Sequence, residues 1–358
     1  MDAFVAQCID RVREAAARGT ALRIQGGGTK DFYGNPPVGD VLDTRPYAGI
    51  VAYDPSELVV TARAGTPLAE LEALLAANGQ MLAFEPPHFG AGATVGGCVA
   101  AGLAGPRRAS SGTTHGSVRD FLLGASLLDG RARVLRFGGT VMKNVAGYDV
   151  TRALAASMGF LGLILEVSLK VLPRPRVERS LRFDFDEATA LDRLNAWAGE
   201  PLPLSASCWQ DGVLYLRLAG AVPAVDAAAR RLGGESIDEP VADAFWRSLR
   251  EQQTAFFAGD APLWRFALPS TAEPLGLAGG SCIEWGGAQR WQRSTAEASM
   301  MHALAADRGG HATLFRGGAR EFGVFTPLSP ALLAIHRRLK DEFDPARVFN
   351  PGRLVAGL

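Results

Sequence analysis

Leu22-Arg23-Ile24-Gln25-Gly26-Gly27-Gly28-Thr29-Lys30-Asp31-Phe32-Tyr33-Gly34-Asn35-Pro36-Pro37 decides between the folds open to this chain. A short strand, Leu22 to Ile24, runs directly into three glycines, and a second strand resumes only at Val38 to Leu42 after a run of breakers. A Rossmann turn needs G-x-G-x-x-G followed at once by a helix. Counting from Gly26 and Gly28, the third glycine position holds Asp31, and the residues from Tyr33 to Pro37 cannot continue as a helix. Asp43 follows the second strand and imitates the acid that holds a ribose, but the fingerprint before it is broken. The Walker pattern G-x-x-x-x-G-K is absent as well.

Working outward, two further glycine-rich segments lie in the same half of the chain. They are Thr94-Val95-Gly96-Gly97 continuing through Gly102 and Gly105, and Gly159-Phe160-Leu161-Gly162 ahead of the apolar run Leu163 to Leu169. Converging backbone N–H groups hold a pyrophosphate without spare side-chain charge, and glycine lets the backbone come that close. One such loop alone is equally a tight connection with no ligand. Three in one half of the chain point to a dinucleotide.

Composition narrows the class. The chain has 358 residues, 47% hydrophobic and 21% charged, with a formal net charge of +0, which suits a globular protein of two domains. Up to Lys170 there are 16 Lys or Arg against 15 Asp or Glu, so no basic face for nucleic acid is expected. No apolar run reaches the roughly 18 residues of a membrane span, and the N-terminus lacks the regions of a signal peptide, which predicts a cytoplasmic protein. Cys8, Cys98, Cys208 and Cys282 are far apart, without the close pairs that hold zinc or an iron–sulfur cluster. No metal site is predicted, and metal-based electron transfer would need another chain. Only four lysines occur, so Lys30 and Lys143 within glycine-rich loops stand out.

Along the chain, Phe4 to Ala17 reads as an amphipathic helix. Val51 to Tyr53 and Leu58 to Ala62 read as strands, with Thr66-Pro67 as N-cap and first residue of a helix over Leu68 to Ala77. Pro173 and Pro175 close this part. Beyond them, strands at Arg179 to Phe185, Val213 to Leu218, Leu263 to Leu268 and Ser281 to Trp285 alternate with helices at Glu187 to Trp197, Val222 to Arg231 and Val241 to Gln253. A last helix over Leu332 to Phe343 leads to Phe349 to Leu354, which returns to the first part. The expected fold is α+β, with a first domain over 1–173, an α+β second domain over 174–330 and a C-terminal return over 331–358.

With these motifs in place, the first ~170 and last ~15 residues resemble the FAD-binding domain of the vanillyl-alcohol oxidase and p-cresol methylhydroxylase family, a two-part domain with an α+β cap. Gly26-Gly27-Gly28-Thr29 resembles its first pyrophosphate loop, and Ala93-Thr94-Val95-Gly96-Gly97 with Gly105-Pro106 its second. Gly116-Ser117-Val118-Arg119-Asp120 resembles the segment passing the flavin. Gly159 through Val167 resembles the strand at the adenine and ribose end, and Asn350-Pro351-Gly352-Arg353 the C-terminal return. Within that family the likeness is strongest to the FAD-binding E-type subunits of bacterial glycolate oxidases, through Lys143-Asn144-Val145-Ala146-Gly147-Tyr148-Asp149, Leu263-Trp264-Arg265 and Phe343-Asp344-Pro345.

The resemblance implies FAD held by Gly26, Gly27, Gly28, Thr29, Lys30, Thr94, Val95, Gly96, Gly97, Gly102, Gly105, Gly116, Arg119, Asp120, Lys143, Asn144, Gly147, Tyr148, Gly159, Gly162, Ile164 and Asn350. Where relatives with covalent flavin often carry histidine, this chain has Thr29, so the FAD is expected to be non-covalent, with His115 a polar neighbour. The resemblance also implies a complex with a D-type flavin subunit and an F-type iron–sulfur subunit. That complex oxidises glycolate, a small 2-hydroxyacid, to glyoxylate, passes electrons to the respiratory chain, and meets the inner membrane only through partners. Catalytic D-type relatives carry paired histidines and a glutamate that bind a metal, whereas His302, His311 and His336 here are scattered.

Flavin oxidation of a hydroxyacid needs a proton acceptor and a cation for the carboxylate. Arg265 and Arg316 are the candidates for the carboxylate, with an interface salt bridge as the competing reading. Tyr148 and His311 are candidates for the proton, against ordinary structural hydrogen bonding. Arg107-Arg108 meets a phosphate or stays solvated. Three functions remain open: a catalytic subunit, an accessory FAD-bearing relay or scaffold, and a free-standing flavin oxidase.

Overall fold

The structure is a computed structural model that describes residues 2–108, 116–140, 149–321 and 323–358. The chain opens with the helix Ala3–Arg18, where the Asp2 side chain accepts from the N–H of Phe4 at 2.9 Å and Gly19 closes the C-terminus in the left-handed region. Val5, Cys8, Ile9, Val12 and Ala15 form its buried stripe. The strand Leu22–Gln25 then pairs in parallel with Asp40–Asp43, and Phe349 near the C-terminus adds a parallel bridge to Leu22. This small sheet is one part of the first domain.

The other part is a five-stranded antiparallel sheet in the order Ile50–Asp54, Val59–Arg63, Leu163–Lys170, Leu122–Leu128 and Val134–Gly138. The strand Leu163–Lys170 is central and buried on both faces except at the half-buried Glu166 and Lys170. Against the sheet lies the helix Leu68–Ala77, whose Leu68, Leu71 and Leu75 are fully buried, each contributing about 1.5–3 kcal/mol relative to exposure. Thr66 does not cap this helix. Its hydroxyl donates to the carbonyl of Gly49 and accepts from the Gly49 N–H, and Pro67 takes the cap position with an extended backbone. A tertiary partner 17 residues away outcompeted the local cap.

Residues from Val177 to Arg316 supply an eight-stranded antiparallel sheet. Its order is Glu235–Ile237, Val177–Asp184, Val213–Gly220, Leu204–Gln210, Ser281–Glu284, Gln289–Arg293, Leu263–Ala267 and His311–Arg316. One face packs on the helices Glu187–Ala198, Val222–Leu232 and Ala298–Asp307 through two apolar clusters. The opposite face carries Cys208, Cys282, Trp291 and Phe315. These join Ala242, Trp246 and Leu249 of the helix Glu239–Arg250 and meet Tyr33, Ala101, Leu103 and Met158 of the first domain. The cap therefore covers the first domain with one face and packs its own helices on the other.

A buried ion cluster pins this contact. Glu85 from the first domain takes Arg217 of the cap at 2.9 Å and Arg107 at 3.1 Å, and Arg107 also pairs with Glu178. Arg107 is thus neither solvated nor free for a phosphate, while Arg108 lies over the Trp285 ring with its guanidinium 4.3 Å from the centroid. At the C-terminus, the buried Lys340 on the helix Pro330–Phe343 donates to the carbonyls of Phe160 and Phe349 and to Asp344. No helix among the described residues is long and apolar enough to cross a membrane.

Candidate functional site

The first glycine loop packs edge-on against the segment before Thr94. A β-carbon on Gly27 would fall 1.5 Å from the carbonyl oxygen of Gly92, and one on Gly26 would fall 2.3 Å from Oγ1 of Thr94. Gly28 sits at φ +71, in the left-handed region. Among the described residues, the N–H groups of Gly26, Gly27, Gly28 and Thr29 donate to no other protein group. They stand in the wall of an open groove between the two parts of the first domain.

Of the residues expected to hold the cofactor, Gly26 to Lys30, Thr94, Gly96, Gly97, Gly159, Gly162, Ile164 and Asn350 line this groove. They do not contribute alike. The helix Val95–Ala101 spends its first N–H groups internally: Val95 donates to Thr66, Gly96 to Ala64, and Gly97 to the Thr94 hydroxyl at 3.2 Å. The second glycine segment therefore supplies close approach, and the free donors belong to the first. Asn350 is a strut, its Oδ1 accepting from the Ile24 N–H at 2.8 Å and its Nδ2 donating to the Met158 carbonyl at 2.6 Å.

Among the described residues, two cations border the groove. Lys30 reaches the His88 carbonyl at 3.1 Å, and burial pulls its pKa below the ordinary lysine value. Arg353 donates to the carbonyls of Asp31 and Asn35, and burial lowers it to about 10. Asp31, the one acid among the described residues of the wall, is already engaged by Arg23 and by Gln25 Nε2. Positive charge and unspent backbone donors thus face one space, and these residues fit the pyrophosphate and flanking groups of a dinucleotide. The residues expected to hold the cofactor did not include Gln25, Asp31, Tyr33, Thr44, Ala64, Met158 and Arg353, which also stand in this wall. Arg353 had a signal, as a cation beside a glycine at the end of the quoted Asn350-Pro351-Gly352-Arg353.

Other expected residues stand elsewhere. Val95 is buried in the core beneath its helix, Gly102 closes that helix against Ala156, and Gly105 lines a different cavity. Asp120 caps Ser117 at the short helix Val118–Phe121, with Arg119 exposed beside it. His115, Lys143, Asn144, Gly147 and Tyr148 lie outside the described residues.

The different cavity, a narrow one, lies between the domains. Pro87, Phe89 and Leu103 to Pro106 form its floor, and Gln252, Arg265, Glu284, Gln289, Trp291 and Phe315 come from the cap. Register explains the grouping: Arg265 lies across from Trp291, and Gln289 across from Glu284, all on the inward face of adjacent strands. Among the described residues Arg265 makes no salt bridge. Its Nη2 donates to the Tyr33 hydroxyl at 2.9 Å, and its guanidinium lies 5.5 Å from the Tyr33 ring centre. Arg316, from the neighbouring strand, packs over Phe32 and donates to Gln252 at 3.0 Å. His311 stands exposed at the start of its strand, and the buried His302 packs against Trp264. Glu284, which sequence reasoning missed, is fully buried, and burial raises its pKa to about 7 despite the donors Trp291 at 2.6 Å and Gln289 at 3.0 Å.

A family model described as an FAD binding domain matches residues 4–138. The chain is 50% identical over 350 residues to the glycolate oxidase subunit GlcE of Escherichia coli strain K12, covering 98% of this chain and 97% of that one. It is 30% identical over 160 residues to the glycolate oxidase subunit GlcD of Bacillus subtilis, covering 44% of this chain and 33% of the other. Among solved structures, an alkyldihydroxyacetonephosphate synthase shares the fold with a TM-score of 0.67 at 16% identity, covering 97% of this chain and 75% of that one.

Proposed function

Since the chain belongs to the family of FAD-binding glycolate oxidase subunits and is an FAD-dependent oxidoreductase, we propose that it serves in a heteromeric 2-hydroxyacid oxidase. In that assembly it carries FAD non-covalently in the groove and receives a small carboxylate such as glycolate in the inter-domain cavity. FAD, when bound, supplies a two-electron acceptor for oxidation at a CH–OH carbon. The N–H groups of Gly26 to Thr29 would hold its pyrophosphate, with Lys30 and Arg353 balancing the charge. Arg265 carries the substrate side of the reading. It is a guanidinium lining the inter-domain cavity whose only polar partner among the described residues is a tyrosine hydroxyl, so its fork is open to a carboxylate. Phe89, Trp291 and Phe315 around it exclude water and strengthen that attraction. Electrons would leave to a D-type flavin subunit and an F-type iron–sulfur subunit, through which the chain would meet the membrane and the respiratory chain.

Spectra of the purified chain test this. Flavin released into the supernatant on acid precipitation is the expected result, and flavin retained in the pellet would overturn non-covalent binding. Anaerobic bleaching by glycolate in the isolated chain, lost in Arg265→Met, is expected of a substrate-binding subunit. Bleaching that appears only with partner subunits present would assign this chain the relay role instead.

A further inference from the structure

Arg265 and Glu284 share the inter-domain cavity without pairing with each other. Glu284 makes no ion pair among the described residues, and both its donors, Trp291 Nε1 and Gln289 Nε2, converge on Oε2. Oε1 is left for the cavity. Among the described residues, the groups facing this carboxyl offer it no compensating charge. Cys208 lies opposite on the adjacent strand, and Cys282, two residues back on its own strand, has a thiol pushed far above its usual value by burial. Glu85 acts on it from the first domain as a like charge. Of the two arginines lining the cavity, Arg250 is taken by Glu251 at 2.8 Å, which leaves Arg265.

We propose that Glu284, in its neutral form, donates a hydrogen bond from Oε1 to a small carboxylate anchored on Arg265, so that the anion and one proton are taken up together. The inference rests on the carboxylate-binding reading above and adds its proton coupling. The alternatives decide the sign. An ionised Glu284 would place a second carboxylate beside the incoming one in a space of low dielectric, where like charges repel strongly. A neutral carboxyl supplies a donor where the anion needs one. Binding therefore favours the protonated acid. Because burial holds this group near 7 in the absence of ligand, the linkage operates across neutral pH.

Calorimetry of the full chain loaded with FAD tests this with oxalate, which has no oxidisable C–H and does not titrate across neutral pH. The dissociation constant should be flat below about pH 6 and rise about tenfold per unit above about pH 7.5. At about pH 8, heats in phosphate and in Tris should differ by the uptake of about one proton. Glu284→Gln, which keeps an acceptor for Trp291 and a donor for the cavity, should bind with the affinity that the native chain shows at low pH, with no slope and no proton uptake. Oxalate binding that is independent of pH in the native chain, or a slope that persists in Glu284→Gln, overturns the coupling and leaves the carboxylate site standing. No oxalate binding at any pH overturns both, while flavin content in the same samples reports separately on the FAD groove. The two-buffer comparison needs only the native chain, so it decides even if the variant fails to fold.

Discussion

Gly27→Ala is the sharpest test of the groove. The new methyl would fall 1.5 Å from the Gly92 carbonyl oxygen and 2.3 Å from its carbon, both backbone atoms that no rotamer change can move. Reaching an ordinary contact of about 3.5 Å requires the two loops to part by about 2 Å. Local overpacking of this kind costs about 1–3 kcal/mol, so the protein should still fold. The effect on the ligand is larger. A backbone N–H donating to a charged oxygen contributes about 1.5–3 kcal/mol, and displacing two of them should weaken FAD binding by about 3–6 kcal/mol. That corresponds to a dissociation constant raised at least about 100-fold, read by titration of flavin fluorescence. Gly199→Ala is the control, because its methyl meets only the Ala196 carbonyl oxygen at 3.5 Å and should change nothing. A folded Gly27→Ala protein whose FAD affinity stays within about threefold of the native chain would refute the assignment of this loop to the pyrophosphate.

Three other perturbations probe distinct features. Arg353→Met should raise the FAD dissociation constant about 10- to 100-fold and flatten its dependence on salt, measured at two ionic strengths, since it removes one of two groove cations. Glu85→Gln strips the common partner from Arg107 and Arg217 and should cost about 3–5 kcal/mol in urea unfolding. In the native chain those arginines hold the Glu85 carboxyl down at about 2, below its ordinary 4.5. Its stabilisation is therefore complete above about pH 4.5 and lost as pH falls toward about 2, amounting to about 3 kcal/mol in acid titrations of unfolding. Lys340→Met should cost a similar about 3–5 kcal/mol by stranding the buried Asp344, and adding Asp344→Asn should recover part of it in the same assay.

What the sequence made legible followed from local physics. The helix over Leu68 to Ala77 was readable because its apolar spacing matches one helical face, and the first loop because a strand, three glycines and two prolines leave few conformations. The elements hidden from that reading are those decided by distant partners. Thr66 has the chemistry of an N-cap and is claimed by Gly49. Arg107 resembles a surface residue next to Arg108 and is instead enclosed by carboxylates from two domains. The second glycine segment looks like a donor loop, yet Thr66, Ala64 and Thr94 accept its N–H groups. Glu284 gave no signal, because a lone glutamate near Trp285 in a strand carries no spacing to read. Only the pairing of the strand Ser281–Glu284 with Gln289–Arg293, and of that strand with Leu263–Ala267, gathers it with Arg265.

That gathering depends on where the cap sits. The first domain builds the groove from its own loops, with the C-terminal Asn350 and Arg353 closing it, whereas the second cavity exists only where the two domains meet. Its floor at Gly105 is held from both sides: Trp285 of the cap donates to the Gly105 carbonyl at 3.0 Å, and the Glu85 carbonyl oxygen lies 2.3 Å from where a β-carbon on Gly105 would go, with the Arg250 side chain just beyond. The Glu85 cluster lies along the same seam. A small shift of the cap would leave the N–H groups of Gly26 to Thr29 in place while separating Arg265 from Tyr33 and opening Glu284 to water. Cofactor retention and carboxylate binding should therefore respond independently to changes at the seam, with the first set by the glycine loops and the second by the ion cluster that fixes the cap.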